Sequence, residues 1–171
     1  MKIQIVPQEE IHKFMEEMID AYQVIYEYRF GKSEAQYMGK ETILSTFTHH
    51  HCLNFEVVDD EGHRLGGAIL SLTKHGKRAD LFYMYTLTEY QNEGIATFLW
   101  KELRALLPGT KNWYIDIPLF NAPAIHFFIN KCGFRAFSFS NSLNNRDGNP
   151  IKFKVDDPWT DGVFFLAKRG R

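Results

Sequence analysis

Tyr90-Gln91-Asn92-Glu93-Gly94-Ile95-Ala96-Thr97 is the stretch whose reading decides the fold. It follows a strand-like run, Leu81-Phe82-Tyr83-Met84-Tyr85-Thr86-Leu87, and opens a helix-like run from Ile95 to Leu107. A strand, a tight turn at glycine and a helix start make an anion site. Backbone N–H groups at a helix N-terminus point at the ligand, and the helix dipole favours negative charge. Gly94 and the small Ala96 let a pyrophosphate come close to the backbone. A glycine at a strand-to-helix turn is common, so these eight residues alone fit a plain turn equally well.

Upstream, Lys2 to Val6 alternates as a strand, and Pro7 with Glu9 and Glu10 starts a helix. Ile11, Phe14, Met15, Met18, Tyr22 and Ile25 keep a helical apolar stripe. Tyr28 to Lys40 reads as a polar loop, and Glu41 to His51 as a second helix. Leu53–Val58 and Leu65–Thr73 form a hairpin around Asp59-Asp60-Glu61-Gly62. Gly66-Gly67 inside it signals a bulge or a close backbone approach. Ala79–Leu87 is the third strand of the run. Downstream, the helix ends at Pro108-Gly109, and Trp113–Ile117 is a buried-type strand. Asn121 caps a helix with Pro123 in its first turn, and Gly133 stops it. Phe134–Phe139 and Val163–Ala167 are the last strands, separated by the polar segment from Asn141 to Pro158, a long loop or lid.

The 171 residues fit one domain, residues 1–171, with a sizeable core. The 15% aromatic content suits a well-filled core or an aromatic-lined pocket. A net charge of −1 gives no general pull toward nucleic acid or an anionic membrane. The basic tail Lys168-Arg169-Gly170-Arg171 reads as a frayed terminus. No run is apolar enough to span a bilayer, and no signal-peptide pattern opens the chain. Cys52 and Cys132 are too few for a disulfide framework and fit buried thiols of a cytoplasmic protein. His49-His50-His51 point in different directions on a helix or strand, so no metal is expected there.

In this order and spacing the chain resembles the GNAT acetyltransferase superfamily. The element order carries the resemblance, together with Gln91-Asn92-Glu93-Gly94-Ile95-Ala96, which is similar to that family's pyrophosphate loop. So does Asn121 to Phe134, which is similar to the family's helix that begins with Asn and ends in Gly-Phe. The resemblance implies a mixed α/β (α+β) fold: one central, mostly antiparallel sheet of about seven strands flanked by about four helices. It implies acetyl-CoA, or coenzyme A, as co-substrate. Gln91, Asn92, Glu93, Gly94, Ile95, Ala96 and Thr97 would cradle its phosphates. The strand edge around Tyr85, Thr86 and Leu87 would pair with its pantetheine arm, and one of these N–H groups would polarise the thioester carbonyl. Asn121 would bond the pantetheine, cap its helix, or do both.

Acetyl transfer to an amine needs a base for the amine proton and benefits from an acid for the leaving thiolate. Alternation puts Asp80, Phe82, Met84 and Thr86 on one strand face, and among the positions where the family carries a base only Asp80 titrates. The family's tyrosine acid falls on Phe128 counting from Asn121. It falls on Ile129 counting back from Gly133, because this helix is one residue longer. Neither donates a proton, which leaves His126, Tyr83, Tyr85 or no acid as substitutes. Cys132 is read as core. Tyr22, Tyr26, Tyr28, Phe30 and Tyr37 either line an acceptor pocket or recognise a cation, with core packing the commoner use of Tyr22 and Tyr26. Glu27, Glu34, Glu41 and Asp80 attract a polycation or are solvated surface. The expectation is an N-acetyltransferase acting on a primary amine of a small molecule, amino acid or protein. The rivals are an inactive acyl-CoA-binding module, a transferase for another acyl chain or acceptor atom, and a structural domain without cofactor. A homodimer is a family-level expectation.

Overall fold

The computed structural model describes residues 1–32, 37–49, 52–73, 75–141 and 162–169. Glu34, His50 and His51, the side chain of His49, residues 142–158 of the polar segment and the last two residues of the basic tail lie outside the described residues. The described residues form seven strands and four α-helices, a mixed α/β chain whose described pairings are antiparallel. None of these helices is long and apolar enough to cross a membrane. The chain divides into two compact units, Met1–Thr110 and Lys111–Arg171.

In the first unit, β1 (Lys2–Ile5), β2 (Leu53–Val58), β3 (Arg64–Leu72) and β4 (Arg78–Thr86) lie side by side in chain order. Helix α1 (Ile11–Phe30) packs on β3 and β4 through Phe14, Met15, Met18 and Ile19, all at most 3% exposed. Ile43 of α2 (Lys40–His49), Ile69 and Tyr85 complete that core. The sequence reading ends α1 too early. A Gln23–Glu27 side-chain bond and the Tyr26–Phe30 ring pair, each at i,i+4, carry it another turn, and Gly31 at φ +87° stops it. Helix α3 (Ile95–Leu106) also packs on β3 and β4, with Leu99 and Leu103 fully buried.

Both expectations for Gly66-Gly67 hold. The β2–β3 register slips next to Gly66, leaving Leu65 as an extra residue. A Cβ on Gly67 would sit 2.3 Å from the Phe14 ring, and one on Gly66 2.4 Å from the Tyr85 carbonyl oxygen. Beside them, Arg64 is buried among carboxylates from three elements. Its guanidinium donates to Glu56 at 2.6 Å, Glu17 at 2.5 Å and Glu10 at 3.3 Å, and lies over the Phe14 ring.

In the second unit, β5 (Asn112–Pro118), β7 (Val163–Arg169) and β6 (Arg135–Ser140) pair in that order. Lys168 and Arg169 belong to β7, opposite Trp113 and Asn112, so half of the expected frayed tail is strand. Helix α4 (Ala122–His126) continues as a π-helical turn over Phe127–Lys131. The Cys132 N–H donates to the Phe127 carbonyl at 3.0 Å, a five-residue step. That wide turn absorbs the additional residue counted in the sequence. Gly133 at φ +74° then ends the element, and Cys132 is buried as expected.

Candidate functional site

The loop between β4 and α3 is built by backbone geometry. Thr88–Tyr90 form a 3₁₀ turn, closed by the Tyr90 N–H on the Leu87 carbonyl at 3.0 Å. Asn92 follows at φ +68°, left-handed backbone that Asn accepts more readily than most residues. Gly94 at φ +83° is the N-cap of α3. The first helical bond runs from the Phe98 N–H to the Gly94 carbonyl at 2.9 Å. The N–H groups of Ile95, Ala96 and Thr97 precede it and have no carbonyl of their own helix to reach. Residues 91–94 are exposed, while Ile95 is 3% exposed and anchors the turn. A Cβ on Gly94 would meet nothing within 4 Å, so the space at the glycine itself is open. A pyrophosphate fits that arrangement. Gln91 differs from its neighbours, because its N–H is turned back to the Thr88 carbonyl at 3.4 Å.

Along β4, antiparallel geometry sorts which N–H groups face outward. The Leu87 N–H donates to the Leu65 carbonyl of β3 at 3.0 Å. With a period of two, Tyr85 also faces β3, whereas Thr86 and Met84 face away from it. The edge expected around Tyr85, Thr86 and Leu87 is corrected accordingly. Thr86 is outward, Tyr85 and Leu87 are committed to β3, and Met84 joins the edge. Counting back by twos from the end of the strand would have found Met84. The outward N–H and C=O of Met84 both meet the Tyr22 hydroxyl of α1, at 3.3 and 3.1 Å.

A bulge overturns the expected face of β4. Ile69 pairs with Tyr83 and Leu70 with Leu81, leaving Phe82 as an extra residue. One extra residue inverts the alternation beyond it. Asp80 therefore shares a face with Tyr83 and Tyr85, while Met84 and Thr86 lie on the other. Asp80 is held by Arg78, whose Nε reaches both carboxylate oxygens at 2.9 and 3.1 Å and whose Nη2 lies 2.6 Å from one of them. Tyr85 is a core residue at 5% exposure, its hydroxyl donating to the Phe14 carbonyl at 3.4 Å. Burial pushes that phenol far up, so its proton stays in the core rather than serving a ligand. The half-buried Tyr83 hydroxyl is bonded to the Thr46 side chain, and burial raises its pKa too.

In the second unit, Asn121 is 3% exposed and its side-chain oxygen accepts the Ala124 N–H at 3.1 Å, a helix cap. His126 is exposed, with Asn130 Nδ2 2.8 Å from its Nδ1. Phe128 is buried, packed edge-on against Phe127 and Phe134.

The aromatic residues of the first unit stack on one another. Tyr26 lies parallel to Tyr37 at 5.5 Å, and Tyr22 meets Tyr83 edge-on at 6.2 Å. Tyr22 is half-buried, and Tyr28 is 94% exposed and apart from this cluster. Near Tyr22, a hollow of about 220 Å³ is lined by Glu17, Asp20, Ala21, Leu87, Thr88 and Glu89. Its carboxylates favour a cationic group over an anion. Among the described residues no cluster of His, Cys, Asp and Glu could hold a metal ion.

Comparison with known proteins places these features in one family. The model of the acetyltransferase (GNAT) family matches residues 14–134. The protein YrkN of Bacillus subtilis (strain 168) is 24% identical over 149 residues, covering 86% of this chain and 78% of that protein. Among solved structures, the ribosomal-protein-S18-alanine N-acetyltransferase of Escherichia coli is similar with a TM-score of 0.65 and 18% identity, over 98% of this chain and 92% of that one. The PaiA N-acetyltransferase of Thermoplasma acidophilum, solved with coenzyme A, gives a TM-score of 0.68 at 16% identity, over 99% and 98%. With a loop, a helix start and a family match that coincide, this chain belongs to the acetyltransferase (GNAT) family.

Proposed function

We propose that this protein is an N-acetyltransferase that moves an acetyl group directly from acetyl-CoA to a primary amine, in the cytoplasm, as one catalytic domain. The family match runs across the division between residues 110 and 111, which supports a single working domain. The observation that carries the reading is the turn at Gly94, which leaves the Ile95, Ala96 and Thr97 N–H groups without partners in their own helix beside an open glycine. Coenzyme A supplies an activated acyl group, and the cradle holds its pyrophosphate by backbone alone. Thr86 offers an outward N–H to an amide-bearing arm. Asp80 is the carboxylate offered to the amine proton, with Arg78 holding its orientation. The acceptor is a small amine, an amino acid or a protein amine, and the acidic hollow near Tyr22 supports a cationic one.

The buried Phe128 and the core-bound Tyr85 hydroxyl favour a second reading, an acyl-CoA-binding module without turnover. Thermal unfolding with acetyl-CoA, CoA or buffer tests the donor half. A ligand bound only by the native state raises Tm by mass action. The rise is expected for the wild type and lost in Gly94→Trp, whose side chain enters the open space at the glycine. No rise in the wild type sinks both readings. A rise without acetylation of any amine in a panel selects the second.

A further inference from the structure

The net charge of −1 hides a division of charge along the chain. Residues 111–171 carry nine Lys and Arg against five Asp and no Glu, whereas residues 1–110 carry eleven against sixteen acids. The second unit gathers its cations at one end. Lys111 precedes β5, Lys131 closes the π-helical turn, Arg135 opens β6 and Arg169 ends β7. Asn112 pairs with Arg169, and Ala167 with Arg135, so two strand starts and a strand end meet there. All four cations are exposed, and among the described residues none of them has a carboxylate within ion-pair distance. We propose that this end of the second unit is a binding surface for single-stranded nucleic acid, with Arg135 and Arg169 taking phosphates and Phe137 stacking on a base.

The face that these strands turn outward adds rings to the charge. Directly paired residues of antiparallel strands share a face, and so do residues two apart on one strand. Arg169, Arg135 and Tyr114 therefore lie on one face, while Trp113, Ile115 and Leu166, at most 6% exposed, turn to the core on the other. The β6–β7 register slips between Ala136 and Ser138, leaving Phe137 as an extra residue. Its ring lies on the arginine face, edge-on to Tyr114 at 6.0 Å and 6.3 Å from Phe165. Phe137 is 49% exposed, on the outermost strand of this unit. An exposed ring beside arginines on an antiparallel sheet gives a base a stacking surface and its phosphates a partner. A duplex keeps its base faces inside, which selects single strands. An acidic peptide would use the arginines and leave the ring idle.

Fluorescence anisotropy of the full chain with a labelled oligothymidylate of about twelve nucleotides, over a salt series, tests the surface. Binding is expected at low salt, with log K falling against log salt at about −0.7 per phosphate neutralised, or about −3 for four cations. Arg135→Gln and Arg169→Gln are each expected to reduce that slope by about 0.7. Phe137→Leu stays apolar but cannot stack, and is expected to weaken binding roughly 5- to 100-fold at an unchanged slope. Lys77→Gln, at an exposed cation of the first unit, is expected to change nothing. No binding at low salt, or an equal loss in Lys77→Gln, overturns the assignment. Two competitions on the wild type need no variant. Polyglutamate of equal charge is expected to compete weakly, and competition as strong as by unlabelled oligothymidylate overturns the assignment, because the ring then stacks nothing. Displacement by CoA alone assigns the cations to the coenzyme and overturns it too.

Discussion

Arg64 and Glu56 form a buried ion pair, Nε to Oε2 at 2.6 Å, with side chains 7% and 4% exposed. Glu17 from α1 lies 2.5 Å from the same guanidinium, and Gln4 of β1 donates to the other Glu56 oxygen at 2.8 Å. The group ties α1 to the sheet of the first unit beside the two close-packed glycines. Arg64→Ala leaves Glu56 buried without its counter-charge. Breaking such a pair costs about 3–5 kcal/mol. Urea unfolding is expected to show a lower midpoint at an unchanged slope, and a loss below about 1 kcal/mol would mean that Glu56 finds water or another partner.

Two glycine sites separate packing from function. Gly67→Ala drives a Cβ into the Phe14 ring and the Phe55 carbonyl oxygen, at 2.3 and 2.6 Å. Overpacking of this kind costs about 1–3 kcal/mol, and contact with backbone puts the site at the upper end. Gly94→Ala meets no atom and bears only the left-handed backbone, about 1–2 kcal/mol. Chemical denaturation is expected to rank Gly67→Ala as the more damaging, with the acetyl-CoA shift weakened only in Gly94→Ala.

Alkaline pH should weaken the fold through Tyr22. Its pKa is raised by burial from 10.0 to about 12. The unfolded chain releases this proton first, so the stabilisation is complete below pH 10 and is lost as pH rises toward about 12. Unfolding at a series of pH values is expected to show that loss, and Tyr22→Phe to reduce its slope, the buried phenols of Tyr85 and Tyr83 carrying the rest. A variant with the same alkaline slope would assign the effect to other groups.

Asn121→Ala tests the capping role on its own. The Ala124 N–H loses its acceptor at 3.1 Å in a site 3% exposed. Cap loss costs about 1 kcal/mol. Asn121→Asp and Asn121→Ser keep an acceptor and are expected to retain most of the stability. If acetyl-CoA affinity also falls in all three, Asn121 serves the coenzyme as well as the helix.

Much of this architecture is local chemistry and was readable as such. The glycine turn before Ile95, the stripe of Phe14, Met15 and Met18, the Asn121 cap and the Gly133 stop depend on neighbours in sequence, where period and backbone freedom act directly. What pairing and packing do to a strand is not local. The extra residue at Phe82 inverted the face of β4, because a bulge is decided by the partner strand. The same partner claimed the N–H of Leu87 and left that of Met84 outward. The Tyr22 hydroxyl, 62 residues away in sequence, reaches Met84 only because α1 crosses β4. The sequence by itself determined the family, the glycine turn that starts α3 and most element boundaries. Tertiary structure alone decided which donors the site presents, since hydrogen-bond direction and burial depend on residues far apart in the chain.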